Sequence, residues 1–190
     1  MARLSREAII TEKIDGTNGQ IFITSEFPTD VLVSHVLDEW DDGLHYWMFA
    51  GSRTKWVKPG DDNAGFAGWV KANSLELRQL GEGRHFGEWW GKGIQRGYGL
   101  NEKRFSLFNV SRWSTSRPLC CHVVPTLFTG TFDTGLVKLE LMNLRSRGSV
   151  AAPGYMNPEG IVVWHVAGNV GFKKTLDKDD QPKGIQNGSN

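Results

Sequence analysis

The sequence predicts an α+β protein built on a largely antiparallel sheet framework. Short β-branched and aromatic runs recur along the chain. Between them lie two stretches with apolar residues at helical spacing, bracketed by capping residues and glycine. At 190 residues the chain is long enough for one domain with its own core.

The runs at 8–10, 19–24, 31–36, 105–110, 122–128 and 161–166 read as strands. Asp61-Asp62-Asn63 offers caps for a helix that carries Phe66, Trp69, Val70, Leu77 and Leu80 toward a core and stops at Gly81. A second helix begins at Asp133-Thr134, sets Val137, Leu141 and Leu144 on one face and ends at Gly148, with Arg145 and Arg147 as a basic tip. The folded domain is expected over 1–176. The polar tail at 177–190 has no apolar periodicity and is expected to be flexible.

A formal charge of +1 excludes the global basic field of a non-specific nucleic-acid binder, while leaving local phosphate-tracking patches open. Cys120 and Cys121 are adjacent and have no other cysteine to pair with, which points to a reducing compartment. The chain shows no signal-like apolar core and no bilayer-length apolar run, so a soluble, cytoplasmic protein without membrane contact is expected. The histidines lack zinc-type spacing. The glycine-rich string Gly91-Lys92-Gly93-Ile94-Gln95-Arg96-Gly97 fails the spacing and the strand-helix context of a dinucleotide loop.

Chemistry concentrates in Glu12-Lys13-Ile14-Asp15-Gly16-Thr17-Asn18. A lysine amine attacks only when deprotonated, so a nucleophilic Lys13 needs neighbouring cations or desolvation. Further strings follow: Gly51-Ser52-Arg53, Gly87-Glu88-Trp89-Trp90-Gly91, Phe105-Ser106-Leu107-Phe108-Asn109, Pro158-Glu159-Gly160-Ile161-Val162 and Lys173-Lys174. The interval between Lys13 and Arg53 holds the acidic, aromatic run Asp38-Glu39-Trp40-Asp41-Asp42, which predicts an inserted hairpin or variable loop.

In that order these six elements resemble the motifs of the covalent nucleotidyltransferase superfamily, which contains ATP-dependent RNA and DNA ligases and mRNA capping enzymes. The nearest branch resembles the RNA ligase family, of the RNA ligase 2 type, over residues 10–175. The resemblance implies a nucleotidyltransferase (adenylation) domain of two mainly antiparallel sheets with flanking helices and ATP held between the sheets; because the sequence stops soon after the last lysine motif, no OB domain is expected. It implies that Lys13 takes AMP from ATP as a covalent lysyl-AMP and that Lys173 contacts the α-phosphate. Glu12 matches a position that helps recognise adenine, Glu88 one that binds the ribose, and Phe108 the aromatic that stacks on the base. Arg53 fits a ribose or phosphate contact. Asn18 and Lys174 join the nucleotide-binding set, although Asp15 and Asn18 equally fit ordinary turn chemistry. Adjacent residues of a strand face opposite ways, so only one of Lys173 and Lys174 can point into a site, and Lys173 is chosen.

Glu159 is the expected ligand of Mg²⁺ or Mn²⁺, since such an ion needs only one or two carboxylates besides water and phosphate. Asn109 stands where many relatives carry aspartate, which weakens any acidic role there.

The implied activity is ATP-dependent sealing of 5′-phosphate and 3′-hydroxyl RNA ends, including nicks in a duplex. Lys92, Arg145 and Arg147 are expected to contact phosphates, and a partner protein or domain is expected to assist end joining. The alternatives are a DNA ligase or other nucleotidyltransferase, or a joining-deficient nucleotide-binding sensor of RNA ends.

Overall fold

The structure, a computed structural model, describes residues 6–62 and 64–177. Along the chain come β1 (Glu7–Lys13), β2 (Thr17–Thr24), β3 (Asp38–Asp41), β4 (His45–Gly51) and β5 (Trp56–Val57). Next are α1 (Phe66–Ala72), α2 (Ser74–Leu77), β6 (Gly83–Gly91), β7 (Lys103–Leu107), α3 (Val110–Trp113) and β8 (Cys121–Val123). β9 (Thr126–Thr131), α4 (Thr134–Arg147), β10 (Gly160–His165) and β11 (Val170–Thr175) follow. The chain is a mixed α+β fold with two sheets. Of the named strand pairs, only β7 and β8 run parallel.

Among the described residues two compact units share these elements, one within 6–13 and 126–177, the other within 14–62 and 64–125. The first holds a four-stranded sheet in the order β11-β10-β1-β9. Period-two alternation sends Ala8, Ile10, Ile161 and Val163 to one face, where Leu144 packs on them, with Val137 and Leu141 alongside. Helix α4 forms where capping predicts it. Asp133 accepts hydrogen bonds from the Gly135 and Leu136 amides, and Gly148, at φ 83°, ends the helix in the left-handed region.

The second unit holds the sheet β3-β4-β2-β6-β7-β8, with β5 paired to β4. One face buries Ile21, Ile23, Met48, Ala50, Phe105 and Leu107 in a core that also takes Phe66, Ala67, Val70, Leu77 and Leu80 from the helical segment. Each large apolar side chain buried this way contributes about 1.5–3 kcal/mol. Gly87 permits the contact, since a Cβ there would lie 2.7 Å from the Phe105 ring.

Several sequence expectations are corrected locally. Residues 31–36 form no strand. The His35 and Val36 amides bond back to Leu32 and Val33 carbonyls in a 3₁₀ turn, with Leu32 and Val33 exposed. The helix expected up to Leu80 breaks at Asn73, whose side-chain amide donates to the Trp69 carbonyl and competes with the helical ladder. The 105–110 strand stops at Leu107 because Asn109 caps α3 by accepting from the Arg112 amide. The 122–128 strand is split at Val124-Pro125, its parts joining different sheets.

The interval before Arg53 does contain a hairpin, β3–β4, turning at Gly43 with φ 74°. Asp62 accepts from the Gly65 and Gly68 amides at the start of α1. Asn63 and the tail beyond Asp177 lie outside the described residues. No helix among the described residues is long and apolar enough to cross a membrane.

Candidate functional site

In the four-stranded sheet, β1 pairs with β10 and β10 with β11, and residues directly opposite across antiparallel strands share a face. Lys13 lies opposite Gly160, which lies opposite Thr175; Thr11 lies opposite Val162, and Val162 opposite Lys173. Lys13 and Lys173 therefore occupy one face, diagonal to each other. Glu12, Ile161 and Lys174 occupy the other, the face that α4 covers. Of the two C-terminal lysines only Lys173 shares the face of Lys13.

Lys13 pairs with the Glu159 Oε1 atom, the two side chains being about one-fifth exposed or less. Glu159 sits just before β10, brought to the end of β1 by the Lys13–Gly160 register. Its Oε2 atom is buried and, among the described residues, has no hydrogen-bond partner. A lone pair withheld from both water and protein donors costs about 1–3 kcal/mol. It is the kind of oxygen that accepts a cation. No group of three His, Cys, Asp or Glu side chains gathers among the described residues, so a metal there would take one carboxylate and complete its shell with water and phosphate.

Glu12, one residue away, contrasts with this. It is 1% exposed, and both of its oxygens are engaged. Ser149 Oγ donates to Oε1 at 2.6 Å, and the Val150 and Ala151 amides donate to Oε2 at 2.8 and 2.9 Å. Ser149 Oγ in turn accepts from the Ala152 amide at 2.9 Å. Burial raises the Glu12 carboxyl above its ordinary value, and the three hydrogen bonds oppose that rise. Through these bonds Glu12, expected from the sequence to help recognise adenine, fastens the turn after α4 to β1.

In the second unit the face opposite the helical core carries Asn18, Glu88 and Ser106 in one cross-strand row. Phe108 follows β7, donates its amide to the Phe86 carbonyl and is 40% exposed. Phe86, opposite Gln20 in the next row, is 45% exposed. Two accessible rings thus border the row of polar side chains. Arg53 is exposed in the segment between β4 and β5.

Sequence reasoning missed Phe86, Ser149, Arg96 and Tyr98. Tyr98 Oη accepts the Asp15 amide at 2.8 Å, and Arg96 Nε donates to Asp15 Oδ2 at 3.0 Å. Arg96 sits in the glycine-rich string that was weighed only as a dinucleotide loop, and Tyr98 directly follows that string. Ser149 had no sequence signal. Phe86, two residues before Glu88 on the same strand face, was recoverable from alternation alone.

A sequence profile of the RNA ligase family matches residues 6–176, nearly the whole described chain, and the protein belongs to that family. Comparison with curated protein sequences gave no match. Among solved structures the fold is similar to that of Naegleria gruberi RNA ligase. A variant described with ATP and Mn has a TM-score of 0.60 at 16% identity, covering 92% of this chain and 50% of that one. A variant without ligand has a TM-score of 0.61 at 17% identity over the same shares. A further variant, described with AMP and Mn, gives 0.59 at 16% identity. The chain thus spans about half the length of the solved proteins it matches.

Proposed function

We propose that this chain carries the nucleotidyl-transfer chemistry of an ATP-dependent RNA ligase, with Lys13 as nucleophile. The observation that carries the reading is the Lys13–Glu159 pair, in which the second Glu159 oxygen is buried without a protein donor. The sheet register adds Lys173 to the same face. In the Naegleria ligase, two substituted residues, a glutamate and a lysine, are as far apart in sequence as Glu159 and Lys173 here. A substituted lysine and aspartate of that protein are as far apart as Lys13 and Asp15.

In the first step the Lys13 amine, released from Glu159 and deprotonated, attacks the α-phosphorus of ATP. A nitrogen–phosphorus bond forms, the bond to the bridging oxygen breaks, and pyrophosphate leaves with the electron pair. In the second step an RNA 5′-phosphate oxygen attacks that phosphorus, and the lysine recovers its amine as AMP passes to the RNA end. In the third, a 3′-hydroxyl attacks the RNA 5′-phosphorus, forming the phosphodiester and expelling AMP. Positioning and charge neutralisation dominate such chemistry.

Lys173 supplies a fixed cation to the α-phosphate. A bound Mg²⁺ or Mn²⁺ supplies neutralisation of the remaining phosphate charge, and Glu159 is the residue that would hold it. Phe108 stacks on adenine, Glu88 accepts from the ribose, and Asn18 and Arg53 complete the nucleotide contacts. Glu12 and Lys174, on the other sheet face, support the scaffold instead.

The test is to incubate the protein with α-labelled ATP and Mg²⁺, then offer nicked RNA and nicked DNA duplexes. Covalent label on the protein and faster sealing of RNA are expected, because a 2′-hydroxyl is the group that distinguishes RNA at a given position. Absence of protein-bound label would overturn the reading. Label with equal sealing of both nicks would replace it by a DNA-tolerant ligase.

A further inference from the structure

The connection between β6 and β7, residues 92–102, has a backbone that simple turn formation does not require. Gln95 at φ 46° and Tyr98 at φ 53° both occupy the left-handed region, where a bulky side chain is strained. Gly97 and Gly99, at φ 65° and 66°, flank Tyr98 and make its conformation reachable. Tyr98 is 2% exposed and sits edge-on to Trp90, ring centroids 5.0 Å apart. Packing this strained residue so tightly fixes its hydroxyl in space.

That hydroxyl accepts the Asp15 amide at 2.8 Å. Arg96, two residues earlier in the connection, pairs with the Asp15 carboxylate at 3.0 Å, both side chains being about one-quarter exposed or less. Gly16 closes the arrangement from another side. A Cβ on it would lie 2.5 Å from the Trp89 carbonyl oxygen and 2.7 Å from the Trp90 Cβ, so the chain passes against β6 where only glycine fits. The backbone amide, the side chain and the next residue of Asp15 are thus each held by β6 or by the connection that follows it. Asp15 is two peptide units from Lys13.

We propose that Arg96 and Tyr98 are positioning residues for lysine adenylylation. The strained connection holds Asp15-Gly16, the residues that follow Lys13 in the chain, and Arg96 balances the Asp15 carboxylate. The inference rests on the proposed role of Lys13.

The experiment measures, in a single turnover at saturating ATP, the rate and amplitude of AMP attachment to the protein. ATP affinity and thermal midpoint are measured on the same preparations. Tyr98→Phe removes one hydroxyl and keeps the ring against Trp90. It is expected to slow attachment by about ten- to a hundredfold, with full amplitude, ATP affinity within about twofold and a nearly unchanged midpoint. Arg96→Gln is expected to slow the same step, and Arg96→Lys to recover part of the rate by restoring the charge without the fork.

Wild-type rates in both Tyr98→Phe and Arg96→Gln would overturn the inference and leave Lys13 chemistry intact. A rate loss that merely follows lost ATP affinity or lost folded amplitude would overturn it as well. Absence of attachment in the wild type would overturn the ligase reading and this inference with it.

Discussion

Glu12 and Glu159 stand one on each side of Lys13, the first beside it in sequence and the second paired to it across the strands, and they are treated oppositely. Glu12 is the more deeply buried and has three protein donors for its two oxygens. Glu159 has Lys13 on one oxygen and no donor among the described residues on the other. Burial alone would have singled out Glu12 as the functional carboxylate. Partnering reverses the choice: a satisfied buried acid holds structure, and an unsatisfied one has capacity for a ligand. Removing the two carboxylates should therefore damage different properties.

The largest effect is expected at the residue between them. Lys13→Ala should abolish covalent AMP attachment in protein that remains folded, as checked by its thermal unfolding. Residual labelling at the wild-type level would show that another residue carries the AMP.

Glu159→Ala should slow adenylylation by about ten- to a hundredfold and raise the Mg²⁺ concentration needed for half-maximal rate, again with little loss of stability. A metal titration that superimposes on the wild type would move the cation away from Glu159.

Glu12→Ala should do the reverse, destabilising the fold by about 2–4 kcal/mol through three orphaned donors, read from denaturant unfolding. Glu12→Gln separates charge from hydrogen bonding. Because burial raises the Glu12 carboxyl in the folded state, its contribution to stability is fully present below the unfolded value and falls as pH rises through the folded one. Stability of Glu12→Gln relative to wild type should accordingly improve from pH 4 to pH 8. A constant difference would mean that Glu12 titrates alike in both states.

The smallest effect is expected from the second unit. Phe108→Ala should weaken ATP binding by about 0.5–1.5 kcal/mol, and Phe108→Tyr should restore most of it. Unchanged affinity in the alanine variant would remove Phe108 from the nucleotide contacts.

Much of this was legible in the sequence because local chemistry and fold agree there. The strands around Ile10, Ile21 and Val163 alternate, and α4 declares both ends with Asp133 and Gly148. Strand β4, His45–Gly51, was overlooked because its last four residues are all buried, so that it lacks the alternation of a half-buried strand. Residues 31–36 misled in the opposite way, offering valines in a segment whose amides close a local turn instead of a ladder.

At the site, motif order singled out Lys13, Glu159 and Lys173, and the structure pairs Glu159 with Lys13. Strand alternation established only that one of Lys173 and Lys174 could enter a site, and the register sets Lys173 on the Lys13 face. The occupation of Glu12 was not legible, since its partners Ser149, Val150 and Ala151 are far away in sequence and have no motif of their own. The hold of Arg96 and Tyr98 on Asp15 was hidden for the same reason.

The most direct test is to find where the AMP resides. Wild-type protein is incubated with ATP and Mg²⁺, digested under conditions that preserve phosphoramidates, and mapped by tandem mass spectrometry. A single adenylylated peptide carrying the modification on Lys13 is predicted. AMP on any other residue, or on none, would contradict the account.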